Sequence, residues 1–124
     1  MSPQKPENWP RCFEQHLNAG DLDGVMALYA PDARFVSPSG ETIVGRDGIR
    51  RVVAELIGKK TRLHGEVVRV VPAGDVAVLY TDWQRMGTDP SGNAVENASR
   101  AIEIVRRQSD GTWQLIVGDP NGRS

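Results

Sequence analysis

Cysteine and histidine are scarce in this sequence. Its one cysteine is Cys12, and its two histidines, His16 and His64, lie far apart. A single cysteine cannot form an internal disulfide or a multi-cysteine zinc site, and the histidines do not form an H-E-x-x-H pattern. The sequence therefore predicts no metal site and implies no cofactor, and Cys12 is expected to be a small core residue.

An excess of one charge and long apolar runs are also absent. The 15 lysines and arginines nearly balance the 16 aspartates and glutamates, which leaves a formal net charge of −1. Such a chain has no basic surface to hold a nucleic acid backbone. No stretch approaches the roughly 18 apolar residues of a membrane span, and the first residues contain no apolar core of a secretory signal. We therefore expect a cytoplasmic protein with neither nucleic acid nor membrane as a partner.

The composition that remains is typical of one small globular domain. The chain has 124 residues, of which 39% are hydrophobic and 25% are charged. One hydrophobic core is the rule at this size. We expect a single domain over residues 1–124, with an ordered core at about residues 8–119 and loose polar tails.

Three segments in the first half carry the apolar periodicity of amphipathic helices. We expect these helices at residues 9–20, 22–29 and 46–57. Asp21 is the expected N-cap of the second helix, and Pro31 is expected to end it because proline cannot continue a helix.

The rest of the chain has the character of β-structure. Residues 33–37 and 42–44 predict a short hairpin around Pro38-Ser39-Gly40. Four further β-rich runs lie at residues 62–71, 76–86, 94–107 and 113–117. The short turns between these runs predict antiparallel neighbours, because a parallel crossover needs about a dozen residues. The chain is therefore expected to be an α+β domain, with three N-terminal helices packed on a curved, mostly antiparallel sheet.

Four segments give the sequence a family resemblance. They are residues 18–24 (NAGDLDG), 27–33 (ALYAPDA), 45–50 (GRDGIR) and 110–113 (DGTW). With them the chain resembles SnoaL-like proteins of the nuclear transport factor 2-like superfamily, to which ketosteroid isomerase is related. The resemblance implies a cone-shaped fold and a homodimer formed through the sheet. It does not fix an activity, because the superfamily contains isomerases, cyclases, epoxide hydrolases, dehydratases and non-catalytic binding modules.

The resemblance to ketosteroid isomerase can be followed residue by residue. The oxyanion-hole tyrosine of that enzyme falls on Phe13, which has no hydroxyl, and its general-base aspartate falls on Ser37, which is not basic near neutral pH. Its second oxyanion acid falls on Glu103. Because two of the three chemical groups are missing, little isomerase activity of that type is expected.

The same alignment, together with strand alternation, predicts which side chains line an apolar pocket. The expected ligand-binding residues are Phe13, Leu17, Tyr29, Phe35, Ser37, Val53, Ile57, Leu79, Thr81, Trp83, Val105 and Ile116. A lining of aromatic and aliphatic groups with few polar ones is typical of a small-molecule site.

Glu103 and His16 are the candidate catalytic residues. Glu103 lies in the apolar run AIEIV, so it either faces the pocket with a raised pKa or lies on the outer side of the sheet beside an arginine. His16, on the apolar face of the first helix, is either a proton shuttle or a packing residue. Arg100, Glu103 and Asp119 weakly resemble the Asp-Arg-Asp set of limonene epoxide hydrolase-like proteins, although their spacing differs.

Two functional hypotheses follow from the sequence. In the first, the protein binds a small apolar organic molecule in the cone and performs proton transfer of an isomerase or cyclase type. In the second, it is a non-catalytic ligand-binding or dimerisation module. The apolar outer residues Val76, Val78 and Tyr80 favour a homodimer through the sheet under either hypothesis.

Overall fold

The computed structural model describes residues 2–37 and 39–123. Within them, helices and strands follow one another as an α+β arrangement with the helices first. The elements are a 3₁₀ helix Pro6–Asn8, α1 Trp9–Asn18, α2 Leu22–Met26, β1 Tyr29–Val36, β2 Thr42–Val44, α3 Arg46–Gly58, β3 Arg62–Ala73, β4 Val76–Thr88, β5 Ala94–Arg107 and β6 Trp113–Asp119. None of the helices in the described residues is long and apolar enough to cross a membrane.

The strands form one open, mixed sheet of six strands in the order β2-β1-β6-β5-β4-β3. The pair β1 and β6 is parallel, and the other neighbouring pairs are antiparallel. Register shifts interrupt the β3–β4 ladder between Val67 and Arg69, and the β5–β6 ladder at Ile116 of β6. Such bulges bend the strands that contain the extra residue. The meander predicted for the second half of the chain is confirmed.

The helices cover one side of the sheet, which we call the helix side, and the core lies between the two layers. Buried residues of the helices meet alternate residues of the strands, as the period of two in a strand requires. The buried core comprises Trp9, Cys12, Phe13, Leu17, Val25, Met26, Leu28, Tyr29, Ala33, Ile49, Val53, Ala77, Leu79, Trp83, Ala101, Val105, Trp113 and Leu115. The prediction that Cys12 is a core residue is confirmed.

Two polar side chains of α1 fasten that helix to β3. Asn18 donates through Nδ2 to the carbonyl of Leu63 at 2.9 Å and accepts from the amide of Leu63 at 3.0 Å. A carboxylate oxygen of Glu14 accepts from the amide of Gly65 at 2.8 Å. The helix thereby fixes the position of β3 beside the core.

The second helix is shorter than predicted. It covers only Leu22–Met26, and Tyr29, which was expected to be its last residue, begins β1. Tyr29 pairs with Leu115 of the parallel neighbour β6, and the register shifts before Arg34. Pro31 therefore lies in an irregular part of a strand, where the missing N–H costs no regular ladder bond. Asp21 caps the helix as predicted, since its carboxylate accepts from the amide of Gly24 at 3.0 Å.

The polar tails, which were expected to be loose, make hydrogen bonds to the sheet. The carbonyl of Pro3 accepts from the amide of Trp113 at 3.1 Å. The amide of Arg123 donates to the carbonyl of Arg100 at 3.1 Å, and its guanidinium donates to Asp82 at 2.7 Å. In the predicted β1–β2 hairpin, Pro38 lies outside the described residues.

Candidate functional site

Glu103 lies on the helix side of β5, inside the core. It pairs with Leu79 of β4 and Gly118 of β6, and its side chain is 7% exposed. The neighbours Ile102 and Ile104 point to the opposite side by strand alternation. Of the two positions that the sequence allowed for Glu103, the structure shows the inward one.

Both carboxylate oxygens of Glu103 accept hydrogen bonds from β4. Thr81 donates through Oγ1 at 2.7 Å, and Trp83 donates through its indole Nε1 at 2.9 Å. Thr81 and Trp83 can reach the same carboxylate because residues two apart on a strand share a side. The sequence placed both residues on this side but did not identify them as partners of Glu103.

Burial makes Glu103 a weak acid. Loss of water raises its pKa from 4.5 to about 7, even though the hydrogen bonds from Thr81 and Trp83 and the charge of Arg123 favour the ionised form. Near neutral pH the neutral and ionised forms of the carboxyl group therefore coexist. A group in this condition can both give and take a proton.

Aromatic rings surround this carboxyl group. Phe13 stacks on Trp9 with ring centroids 5.3 Å apart and meets the ring of Trp83 edge-on at 5.6 Å. Tyr29 meets Phe13 edge-on at 6.3 Å. Burial, and then the charge of Glu103, raise the pKa of the Tyr29 phenol, which keeps it protonated.

The hydroxyl of Tyr29 has no protein hydrogen-bond partner among the described residues. Tyr29 is 4% exposed, yet its hydroxyl makes no hydrogen bond to the described residues. Fully enclosed side-chain polar atoms of the described residues all have partners. The Tyr29 hydroxyl is consequently not fully enclosed.

Most of the predicted lining residues are brought together on the helix side. Those buried in the common core are Phe13, Leu17, Tyr29, Val53, Leu79, Thr81, Trp83 and Val105, and those packed against it are Phe35 and Ile57. Ser37 follows β1 and its hydroxyl pairs with that of Ser39 at 2.8 Å.

The structure corrects the predicted position of Ile116 in the pocket lining. The register of β5 and β6 shifts at this point, so Val105 pairs with Leu115 and Ile104 pairs with Val117. Leu115 takes the buried position in the core, and Ile116 is the extra residue at the shift, only partly buried. Sequence alternation could not locate this bulge, because the extra residue is an ordinary isoleucine and the glycine of β6, Gly118, comes two residues later.

His16 lies at the corner between α1 and α2. Its Nδ1 is 3.0 Å from the Asp21 carboxylate, the same side chain that caps α2. The side chain of His16 is 18% exposed. This contact gives His16 a role in joining the two helices, and its catalytic role stays a prediction.

Arg100, Glu103 and Asp119 do not form the three-residue set that their types suggested. Arg100 pairs with Asp82, and Asp119 pairs with Ile102, both outside the row that contains Glu103. Strand positions that differ by an odd number face opposite sides, so Arg100 and Glu103, which are three positions apart, point in opposite directions.

Two surface clefts lie away from the predicted lining. One, of about 330 Å³, is bounded by Asp75, Arg107, Gln108, Ser109 and Gly111. The other, of about 500 Å³, is bounded by Lys59, Thr61, Arg85, Gly87, Thr88, Asp89, Pro90, Val95 and Asn97. The second cleft was not predicted from the sequence. Extending the alternation of β4 beyond Trp83 would have placed Arg85 and Gly87 on the helix side.

The chain is similar to several known proteins. Epoxide hydrolase LasB of Streptomyces lasalocidi is 29% identical over 99 residues, which cover 78% of this chain and 34% of the relative, so the chain spans about a third of that protein. Among solved structures, a ketosteroid isomerase-like protein from Erwinia carotovora atroseptica has a TM-score of 0.80 at 20% identity, covering 95% of this chain and 93% of its own. An NTF2-like protein with a cystatin-like fold from Novosphingobium aromaticivorans has a TM-score of 0.76 at 16% identity, covering 91% and 76%.

The structural likenesses define the fold, and a sequence model defines the family. The expected nuclear transport factor 2-like fold is confirmed by the solved structures. The model described as the SnoaL-like domain matches residues 11–116, which is most of the chain. This protein belongs to the SnoaL-like domain family.

Proposed function

We propose that this domain binds a small, largely apolar organic molecule on its helix side and that Glu103 serves as a general acid toward an oxygen atom of that molecule. The observation that carries the proposal is a buried carboxyl group with a pKa raised to about 7, near the Tyr29 hydroxyl, which has no hydrogen-bond partner among the described residues. The two groups supply two O–H donors in surroundings that are otherwise aromatic and aliphatic.

The partners of Glu103 suit it to giving a proton away. When Glu103 loses its proton, Thr81 Oγ1 and Trp83 Nε1 are already positioned to donate to the resulting carboxylate. Donors that are in place before the reaction need no reorganisation as the charge develops. Tyr29 would hold the same ligand oxygen through its own hydroxyl.

The residues around Glu103 favour an acid-assisted ring opening of the ligand over a base-dependent isomerisation. Among the described residues, the buried polar or charged side chains are Thr61, Thr81 and Glu103, so Glu103 is the one buried carboxyl group. The isomerase base position is Ser37, and the isomerase tyrosine position is Phe13. The site therefore has an acid without a buried carboxylate base.

Opening of an epoxide fits this set of groups. The Glu103 proton passes to the epoxide oxygen as one C–O bond breaks, while a hydroxyl of the substrate or a water molecule attacks the carbon. The nucleophile then releases its proton to solvent, and Glu103 regains one from solvent. The 29% identity to epoxide hydrolase LasB supports this choice of substrate oxygen.

The test is turnover of styrene oxide and of an epoxy alcohol whose own hydroxyl can attack the ring. Glu103→Gln should lower kcat by about 10²- to 10⁴-fold, the usual contribution of a positioned acid, with affinity changed only a few fold. Glu96→Gln, at an exposed position of the same strand, is the control and should retain full activity. Equal activity of wild type and Glu103→Gln, or no turnover by the wild type, would overturn the catalytic role.

A non-catalytic binding module is the second candidate, and one observation favours it. Both oxygens of Glu103 already have protein donors, so the carboxyl group could serve only to join β4 and β5. In that case steroids, terpenoids or aromatic ketones would raise the melting temperature of wild type and Glu103→Gln alike, without product. A ligand at 100 times its Kd stabilises a fold by about 2.7 kcal/mol.

The functional unit that we propose is a homodimer through the outer side of the sheet. Val78, Ile104 and Val117 lie side by side there in the registered strands β4, β5 and β6. Val71, beside Val78 on β3, is 37% exposed. A second copy that covered this apolar row would remove it from water.

A further inference from the structure

The second cleft, of about 500 Å³, has the size of a small-molecule site. It lies where the C-terminal end of α3 meets the β4–β5 hairpin. The pairs Arg85–Asn97 and Gly87–Val95 continue the register of Trp83–Ser99 without a shift. These residues therefore face the helix side, beyond the part of the sheet that the helices cover.

The cleft is separate from the Glu103 site. Asn97 precedes Glu103 by six residues in the same strand, which is about 20 Å at the rise of an extended chain. The side chain of Glu103 reaches toward Trp83, whose indole donates to it. Neither Glu103 nor Trp83 belongs to the lining of the cleft.

Two cationic side chains border the cleft. Arg85 makes no direct ion pair within the described residues, although its charge also acts on Glu55, and Lys59 pairs with Glu55 at 2.8 Å. The side chains of Lys59 and Glu55 are 61% and 65% exposed, and such surface pairs contribute little, so Lys59 can turn to another anion. Asp89, the acidic residue of the lining, uses Oδ1 to accept from the amides of Ser91 and Asn93.

Thr61 supplies a hydroxyl group to the lining of the cleft. The residue is 5% exposed and lines the cleft, and its Oγ1 makes no hydrogen bond to the described residues. Gly87 lies opposite, where a Cβ atom would be 3.8 Å from Thr61 Oγ1. Gly87 and the Thr61 hydroxyl therefore lie side by side in the lining of the cleft.

The remaining lining is partly apolar. Pro90 and Val95 contribute hydrocarbon surface on the hairpin side, and Asn97 contributes an amide next to Arg85. Guanidinium, ammonium and hydroxyl groups can all donate hydrogen bonds to a carboxylate, and the hydrocarbon surface can contact the apolar part of the same ligand.

We propose that this cleft binds small organic carboxylates, with the carboxylate between Lys59, Thr61 and Arg85 and the apolar body against Pro90 and Val95. The site is independent of the chemistry assigned to Glu103. It gives the domain a second ligand class, organic acids, in addition to neutral apolar molecules.

The test is titration of the ¹⁵N-labelled protein with benzoate, followed by NMR, with benzamide as the neutral analogue and inorganic phosphate as the anion without an apolar body. Benzoate should shift the amide signals of Thr61 and Gly87 and the Arg85 Nε–H signal at lower concentrations than either comparison compound. Equal effects of phosphate and benzoate would reject the organic-acid class, and shifts confined to other regions would reject the site.

Charge variants sharpen the test. Arg85→Gln should weaken benzoate binding about tenfold, the usual effect of losing one charge-assisted hydrogen bond. Arg62→Gln is the control. Arg62 precedes Leu63, the β3 partner of Arg85, and points to the other side of the sheet, so removing its charge should leave binding unchanged. Glu55→Gln frees Lys59 and should strengthen binding a few fold. Equal losses in Arg85→Gln and Arg62→Gln would mean nonspecific attraction and would overturn the proposal.

Discussion

At the residue scale, Glu103 makes protein stability depend on pH. Its pKa is about 7 in the fold and 4.5 in an unfolded chain. Below 4.5 both states hold the proton, and the contribution to stability is complete. As pH rises from 4.5 to about 7 the unfolded state releases its proton first, so the free energy of unfolding falls, and above that range the loss stays constant.

The size of this loss can be measured against a variant that does not titrate. The gap between the two pKa values corresponds to about 3 kcal/mol. Glu103→Gln should remove it, so that urea unfolding gives wild type a free energy that falls relative to the variant between pH 4.5 and about 7. A constant difference across this range would contradict a raised pKa. The comparison cancels carboxyl groups such as Asp21 and Asp110, whose lowered pKa values are common to both proteins.

Glutamine at this position also keeps the hydrogen bonds. Its carbonyl oxygen can accept from Trp83 Nε1, and its amide can donate to Thr81 Oγ1 if the hydroxyl turns from donor to acceptor. The neutral form of Glu103 has the same capacity. A loss of activity in Glu103→Gln therefore reports the proton and not a collapsed site.

At the element scale, the end of α3 contains a backbone conformation that is unfavourable in free energy. Lys60 has φ of 56°, in the left-handed region, and follows a helix whose last residue is Gly58. The amides of Lys60 and Thr61 bond back to Ile57 and Leu56 at 3.0 Å and close the helix. Glycine usually occupies this left-handed position because a Cβ atom is unfavourable there. The turn aims Thr61 into the second cleft.

Lys60→Gly should relieve this cost. We expect thermal or urea unfolding to show a gain of up to about 1 kcal/mol, the size of the left-handed penalty for a residue with a Cβ atom. Lys59→Gly is the matched control, because Lys59 has φ of −84° and gains nothing from glycine. A loss of stability in both variants would show that the left-handed conformation of Lys60 carries no cost.

The elements also show what sequence patterns can and cannot predict. Apolar periodicity and turn residues predicted α1, α3 and the four later strands, because long amphipathic segments end at glycine, proline or other turn residues. The same rules extended α2 too far, since LDGVMALY keeps helical spacing while pairing with β6 decides where the strand begins. Inward residues of β4 were predicted correctly, whereas Ile116 was not, because a bulge changes sides without a sequence mark.

The two candidate sites also differ in how far the sequence could predict them. The inward position of Glu103 was one of two alternatives, and only the register with Leu79 settles it. The second cleft joins Lys59 and Thr61 to Arg85 and Asn97, which are distant in sequence. Such a site depends on how α3 meets a hairpin, and a local pattern does not contain this information.

At the scale of the whole molecule, the proposed dimer can be tested through its apolar row. Ile104→Asp places a charge in the middle of the outer side and should convert a dimer into a monomer in analytical ultracentrifugation. Val44→Asp is the control, because Val44 is 61% exposed on β2, away from the row. Ile104 is partly buried, so Val71→Asp, at a position that is 37% exposed, separates dissociation from unfolding. A monomeric wild type, or dimers that persist in both row variants, would contradict the interface.

The attachment of α1 to β3 also affects how whole molecules meet in solution. β3 is an outermost strand, and the unpaired backbone of such a strand is a template on which another chain can add a strand. At Leu63 and Gly65 that backbone is already bonded to Asn18 and Glu14. Farther along β3, the bulge near Arg69 disturbs the ladder, and Pro72 has no N–H to offer. The protein thus blocks much of this edge with its own groups, which protects it from aggregation through strand addition.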